Sequence, residues 1–329
     1  MKDGQVPPAS GRPAAAVWSN TSGRSRAGAG GTVNDDDAVA RSHRMLLGLA
    51  GRVPDDVLAA ARLRLADGIR TSLADPVDRA HSFSASTDPD GPALLDLTGT
   101  EQPDPVDRVA VETVARASGA RALWRSWRAP APWEPAGTAP TRVYLLEAAL
   151  DGAPLARLTA AVMRALVTAG LESPQFEAYP IGFDLGSYHR LARSSSALLW
   201  AHGDRRPLRL ARVFDRGGAA GVGFDDNHEI LSATETDQIA GYLEGGEPIL
   251  VTTRTAGDVL APDRGPVVPL SFRTDGQWIW TETVTYYLRE YSLAPDRELL
   301  GHIRANGYAA VDVDAAAEHR ALAVLLTRA

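Results

Sequence analysis

The sequence predicts an α/β fold: a mixed sheet flanked by helices, preceded by a small helical N-terminal region and a disordered N-terminal arm. Three observations carry this expectation. Residues 142–214 alternate strand, helix, strand, helix, strand. Residues 230–305 alternate again, as a second half of similar size that is not alike enough to count as a repeat. Residues 1–39 are rich in Pro, Gly, Ser and Ala and end in the acidic run Asp35-Asp36-Asp37. Such a segment buries too little apolar surface to offset its ordering entropy, so 1–39 is expected to be a disordered arm.

A helical pattern runs from His43 to about Asp67. Pro54-Asp55-Asp56 starts a helix well, with acids at the positive end of its dipole. Val57, Leu58, Ala61 and Leu65 give one apolar stripe, and Gly68 ends it. Residues 71–105 are loop-like around Ala93-Leu94-Leu95, and a helix follows over about 107–118. Next, Trp124, Trp127 and Trp133 sit among Arg121, Arg125 and Arg128. The small helical region is placed at 40–128, and Pro130, Pro132, Pro135 and Pro140 mark the boundary after it. The α/β domain is placed at 142–329, with halves at about 142–214 and 230–305. Within it, 142–148 (RVYLLEA) reads as a buried strand. Residues 155–169 read as an amphipathic helix capped by Gly170, 175–179 as a strand, 185–201 as a helix and 207–214 as a strand. After a loop at 216–229, a helix opens at Thr234 and runs to 243, and strands follow at 248–253 and 267–272. Asp275-Gly276 is a tight turn. Trp280, Val284, Tyr287 and Tyr291 then fall on one helical face. Pro295-Asp296 starts another helix, and 314–326 forms the last.

Residues 266–291 hold two of the seven tryptophans and three of the eight tyrosines of a chain that is 6% aromatic. Arg273, Asp275, Trp278, Trp280, Glu282, Tyr286 and Tyr287 are therefore the candidate binding residues, being of the types enriched at interface hot spots. They equally suit a folding nucleus, with Arg273 paired to Asp275 or Glu282 and the aromatics packing helix onto sheet. The run VPLSFRTDGQWIWTETVTYYLREY…LLGHIR resembles an uncharacterised actinobacterial family with a C-terminal RTDGxWIW…YYLxxY module. Some of its members look to lie beside secretion or polymorphic-toxin genes. That resemblance implies no catalytic residue, and it favours a partner-binding or immunity-type role.

Composition excludes several chemistries. The chain has no cysteine, so disulfides, thiolate nucleophiles and thiol-ligated metals are out. A net charge of -7 argues against nucleic acid as a partner, although Arg121 to Arg128 interleaves aromatic and basic residues in the manner of such a surface. No apolar run approaches the roughly 20 residues that span a bilayer, and no signal peptide is evident, so the cytoplasm is the expected location. Gly217 to Gly223 lacks the lysine of a phosphate loop, and no G-x-S-x-G occurs, so no cofactor is expected. His189, His202, His302 and His319 are scattered. Asp225, Asp226, His228 and Glu229 form the one dense cluster of hard ligands, without the spacing of an established metal motif.

The expected function is a non-catalytic protein-interaction module, an adaptor or immunity-type protein. Its partner is a protein encoded nearby or a second copy of the chain. The alternative is a metal-dependent hydrolase or nuclease using Asp225, Asp226, His228 and Glu229.

Overall fold

A computed structural model describes residues 31–328, apart from 72, 74, 75, 89, 102, 103, 131–133, 204, 206 and 218–220. Residues 1–30 of the expected arm, Trp133 and the middle of the Gly217–Gly223 run lie outside the described residues. The last part of the arm is corrected: helix α1 (Gly31–Gly48) already covers 31–39. Val39 packs with the cluster of Leu46, Ala50, Val53 and Leu58, so tertiary burial rather than composition decides there. Helix α2 (Asp55–Ala66) carries Asp55 and Asp56 in its first turn and buries Leu58, Ala61 and Leu65.

The first sheet follows. Its elements are β1 (Phe83–Ser84), β2 (Leu95–Asp96), α3 (Pro105–Ala115), β3 (Ala120–Arg128), β4 (Thr141–Ala148), α4 (Gly152–Thr168), β5 (Gln175–Pro180), α5 (Ser187–Ser194) and β6 (Ala197–Ala201). Strand order is β2-β6-β3-β4-β5, with β1 also paired to β3. Strands β4 and β5 run parallel, as do β2 and β6, while β3 is antiparallel to both β4 and β6. Hence β2, β4, β5 and β6 share one direction and β3 opposes them.

Two expectations are corrected here. Residues 120–128, placed in the small helical region, form the central strand, and 197–201, expected as a helix end, form β6. Both are buried on consecutive residues, from Ala122 to Ser126 and from Ala197 to Leu199. A strand covered on both faces loses its alternation and cannot be told from a buried helix by periodicity. One face packs Tyr144, Leu146 and Phe176 against Val162, Met163 and Leu166 of α4. The other packs Trp124, Leu145, Tyr179 and Leu198 against Ala192 and Ala316.

The second half contains β7 (Arg209–Leu210), α6 (Ala233–Gly245), β8 (Glu247–Leu250), β9 (Thr255–Gly257), a 3-10 turn at Pro262–Arg264, β10 (Pro266–Pro269), β11 (Phe272–Thr274), β12 (Trp278–Thr281), α7 (Glu282–Tyr291), α8 (Arg297–Ala305) and α9 (Ala315–Arg328). Its four-stranded sheet has the order β7-β12-β11-β8, and β9 pairs with β10 alone. The cap of α6 is Ser232, whose Oγ accepts from Glu235 N, rather than Thr234. Trp280 belongs to β12, not to the following helix, whose buried face is Val284, Tyr287 and Leu288. The Asp275-Gly276 turn is as expected, with Gly276 at φ +84°. Helix α9 touches β2 and β6 of the first sheet and β8 of the second.

Two histidines in this core tie stability to pH. His319 Nε2 bonds the Leu95 carbonyl at 2.9 Å, and His43 Nε2 the Ala178 carbonyl at 2.7 Å. Burial holds His43 below the usual histidine range and lowers His319 to about 4. An unfolded histidine binds its proton near pH 6.5, so between about 6.5 and 4 the unfolded chain holds more protons and stability falls with pH. The expected loss from His319 alone is roughly 3 kcal/mol across that window. Urea titrations at pH 7 and pH 4.5 measure it. His319→Gln, which keeps a donor for Leu95, should flatten the dependence, and an unchanged slope refutes the assignment.

Candidate functional site

The residues singled out between 266 and 291 are engaged with the chain itself. Asp275 caps its own turn, with Oδ1 accepting from Gln277 N at 2.8 Å and Trp278 N at 2.6 Å. Its Oδ2 accepts from the Tyr242 hydroxyl at 2.6 Å and from His302 Nε2 at 2.7 Å. Arg273 donates to Glu282 at 2.8 Å and to the carbonyls of Glu244 and Gly246 at 3.0 and 2.9 Å. The Tyr287 hydroxyl accepts from Val259 N, and Tyr286 and Tyr291 donate to the buried Asp258. Trp280 is fully buried, Trp278 nearly so, and a Cβ placed at Gly246 would collide with the Trp280 ring. The arrangement is that of a packed core joining α6, α7 and α8 to the second sheet.

The acidic cluster does not converge. Asp225 pairs with Arg216 at 2.9 Å and Glu229 with Arg304 at 3.0 Å. His228 Nδ1 faces Asp215 at 2.7 Å and its Nε2 faces the Ala294 carbonyl at 2.9 Å. Both ring nitrogens are thus within hydrogen-bond distance of an oxygen of the chain itself. Among the described residues no group of three or more His, Cys, Asp or Glu could hold a metal ion. The Arg121 to Arg128 segment is likewise internal: Trp124 is fully buried, and Trp127 lies under Arg142 at 4.7 Å and Arg125 at 5.4 Å.

Buried polar atoms without partners occur in both halves, Trp280 Nε1 and Thr285 Oγ1 among them, and two lie on the α5 and α9 face of the first sheet. Trp124 Nε1 is buried there with no hydrogen-bond partner, and the buried Tyr179 hydroxyl has no well-formed one, although the Arg193 guanidinium acts on it as a hydrogen-bonding neighbour. Glu147 stands beside Tyr179 in the parallel β4–β5 register and therefore points to the same face. It is half-buried and has no hydrogen-bond or ion-pair partner among the described residues. Burial pushes its carboxyl above the usual range; Arg193 opposes this, and Asp314 and Glu318 add to it. Glu147 lines a cavity of about 450 Å³ together with Arg121, Ile181, His202, Asp314 and Ala316.

The backbone explains why the cavity lies there. Glu147 is near the end of β4, Ile181 follows β5 and His202 follows β6, three strands that run the same way. A crevice outside the carboxyl ends of co-directional strands is where open α/β sheets bind ligands. Asp314 caps α9, accepting from Ala317 N at 2.8 Å, and so closes one side. A second cavity of about 380 Å³ flanks the same face, lined by Phe183, Leu185, Arg190, Arg193, Glu318 and His319. Arg193 lies over the Trp124 ring at 5.0 Å and pairs with Glu318 at 2.9 Å. Neither Glu147 nor Tyr179 was among the sequence candidates. The available signal was an acid inside the apolar strand RVYLLEA, since Glu is almost never buried without a partner.

Comparison with family models, with curated proteins and with solved structures finds no match to this chain.

The packing role of Arg273 has a direct consequence. Arg273→Ala leaves Glu282 and two carbonyls without their donor, and the expected cost is about 1–3 kcal/mol. Chemical denaturation measures this, and a variant as stable as the wild type would return Arg273 to the candidate binding residues.

Proposed function

We propose that the protein is a non-catalytic protein-interaction module, an adaptor or immunity-type protein acting in the cytoplasm. Its cleft at Glu147 receives a hydrogen-bonding group from a protein partner. The observation that carries this reading is Glu147, a half-buried carboxyl that lines the cavity and has no hydrogen-bond or ion-pair partner among the described residues, next to the buried Tyr179 hydroxyl on the same face. A buried polar group left unpaired costs about 1–3 kcal/mol, and a bound group that pairs it recovers that free energy as affinity. The cleft offers both hydrogen-bond donors and acceptors, which suits recognition. The sequence resemblance to proteins encoded beside secretion or toxin genes favours a protein, encoded nearby, over a free metabolite.

Affinity capture from the native cell tests this with three baits: wild type, Tyr179→Phe and Glu147→Gln. Tyr179→Phe removes one buried hydroxyl without a well-formed hydrogen bond and keeps the ring, so its melting temperature should change little. Recovery of the wild-type partner should fall about tenfold with either variant, equivalent to about 1.4 kcal/mol. Equal recovery by all three baits refutes the cleft as the recognition site.

A further inference from the structure

Strand β8 has one strand neighbour among the described residues, β11, and its other edge is unpaired. The chain after β8 stays on the same line, since Thr252 N donates to Ser271 Oγ at 3.2 Å and the same hydroxyl donates to the Thr252 carbonyl at 3.2 Å. The residues facing outward include Val251, 76% exposed, and Leu250, 38% exposed. Glu247 and Arg254 flank them, both exposed and both without a side-chain ion pair among the described residues. An open edge with apolar residues is a template for another strand.

We infer that residues 247–254 pair, antiparallel and about a two-fold axis, with the same residues of a second copy of this chain. The register follows from the bulge in β8. Arg273 faces Pro248 and the next residue, Phe272, faces Leu250, so Ile249 is the extra residue. Ile249 is turned inward against Ile279 and Ala321. Counted in rungs across that bulge, Glu247, Pro248 and Leu250 precede Val251, and Thr252, Thr253 and Arg254 follow it. A two-fold axis at Val251 then sets Val251 against Val251, Leu250 against Thr252 and Glu247 against Arg254. The two flanking charges, unpaired within one chain, become two ion pairs across the axis. An isologous contact of this kind closes on itself as a dimer. Pro248 withholds one donor and limits how far the ladder can extend. The surface is separate from the cleft at Glu147 and does not depend on it.

Sedimentation equilibrium of the full chain tests the pairing over a range of concentrations. The wild type should show a monomer–dimer equilibrium. Val251→Lys places like charges directly opposite each other and should raise the dissociation constant about tenfold or more. Glu247→Arg and Arg254→Glu should each weaken the dimer about threefold or more, and the double variant should restore it. All three positions are exposed, so melting temperatures should match the wild type and show that a loss of dimer is not a loss of fold. A wild type that stays monomeric, a Val251→Lys dimer of unchanged affinity, or a double variant that fails to recover would each overturn the inference. Partner capture through the cleft should be the same for wild type and Val251→Lys, which separates the two proposals.

Discussion

The first sheet can be covered on both faces only because the charges inside it are matched. Asp107 on α3 accepts from Arg125 of β3 at 2.8 Å, from Arg142 of β4 at 3.0 Å and from the Tyr144 hydroxyl at 2.6 Å. Glu177 of β5 is paired with Arg62 of α2 and lies 3.3 Å from His189 of α5. Burial pushes the Glu177 carboxyl up, and Arg62 and His189 overcome this and hold it below the usual range. An unpaired carboxylate in either place would cost several kcal/mol. Each pair also joins different elements, so the helices are held to the sheet by hydrogen bonds of defined direction as well as by apolar contact.

That matching makes the exceptions informative. In the second half, Asp258 and Asp275 have their hydrogen-bonding capacity filled by tyrosine hydroxyls, a histidine and backbone amides. The aromatic segment there packs on itself, with Trp280 Nε1 buried and unpaired. On the far face of the first sheet Glu147 lacks a partner where it lines a cavity, with the buried Tyr179 and Trp124 on the same face. A half-buried carboxylate without a partner that also lines a cavity is a place to look for a ligand.

Much of the architecture was legible in the sequence, and the reason is periodicity. Helices α2, α4, α8 and α9, strands β4 and β5 and the Asp275-Gly276 turn all carry a local signal of spacing, capping or turn chemistry. Strands β3 and β6 do not, because burial on consecutive residues removes the alternation, and in β3 Arg125 and Ser126 are buried along with the apolar residues. The boundary between Trp280 and the helix after it was also lost, since Trp280 falls by coincidence on the helical period of Val284 and Tyr287. The site was less legible for a different reason. Aromatic density marks where burial is greatest, and in residues 266–291 it marks a packed core. The cleft is assembled from Glu147, Ile181, His202 and Asp314, which are far apart in the chain and come together only through the parallel β4–β5 register and the seating of α9.

Helix α9 is what connects the two halves. Its His319 bonds Leu95 of the first sheet, its Glu318 holds Arg193 over Trp124, and its Ala321 packs on Ile249 and Ile279 of the second sheet. Alanines at 316, 321 and 323 are buried, and their small size lets the helix lie close to both sheets. The same helix therefore lines the cavity beside Glu147 and supports the strand whose outer edge is open. Ile249 is the residue through which this support acts. Its extra position in β8 turns it onto α9, and that same extra position brings Glu247 and Arg254 into symmetric places about Val251. The bulge thus couples the inward packing of β8 to the charge pattern on its outward edge, and a strand without it would set the two charges out of register with each other.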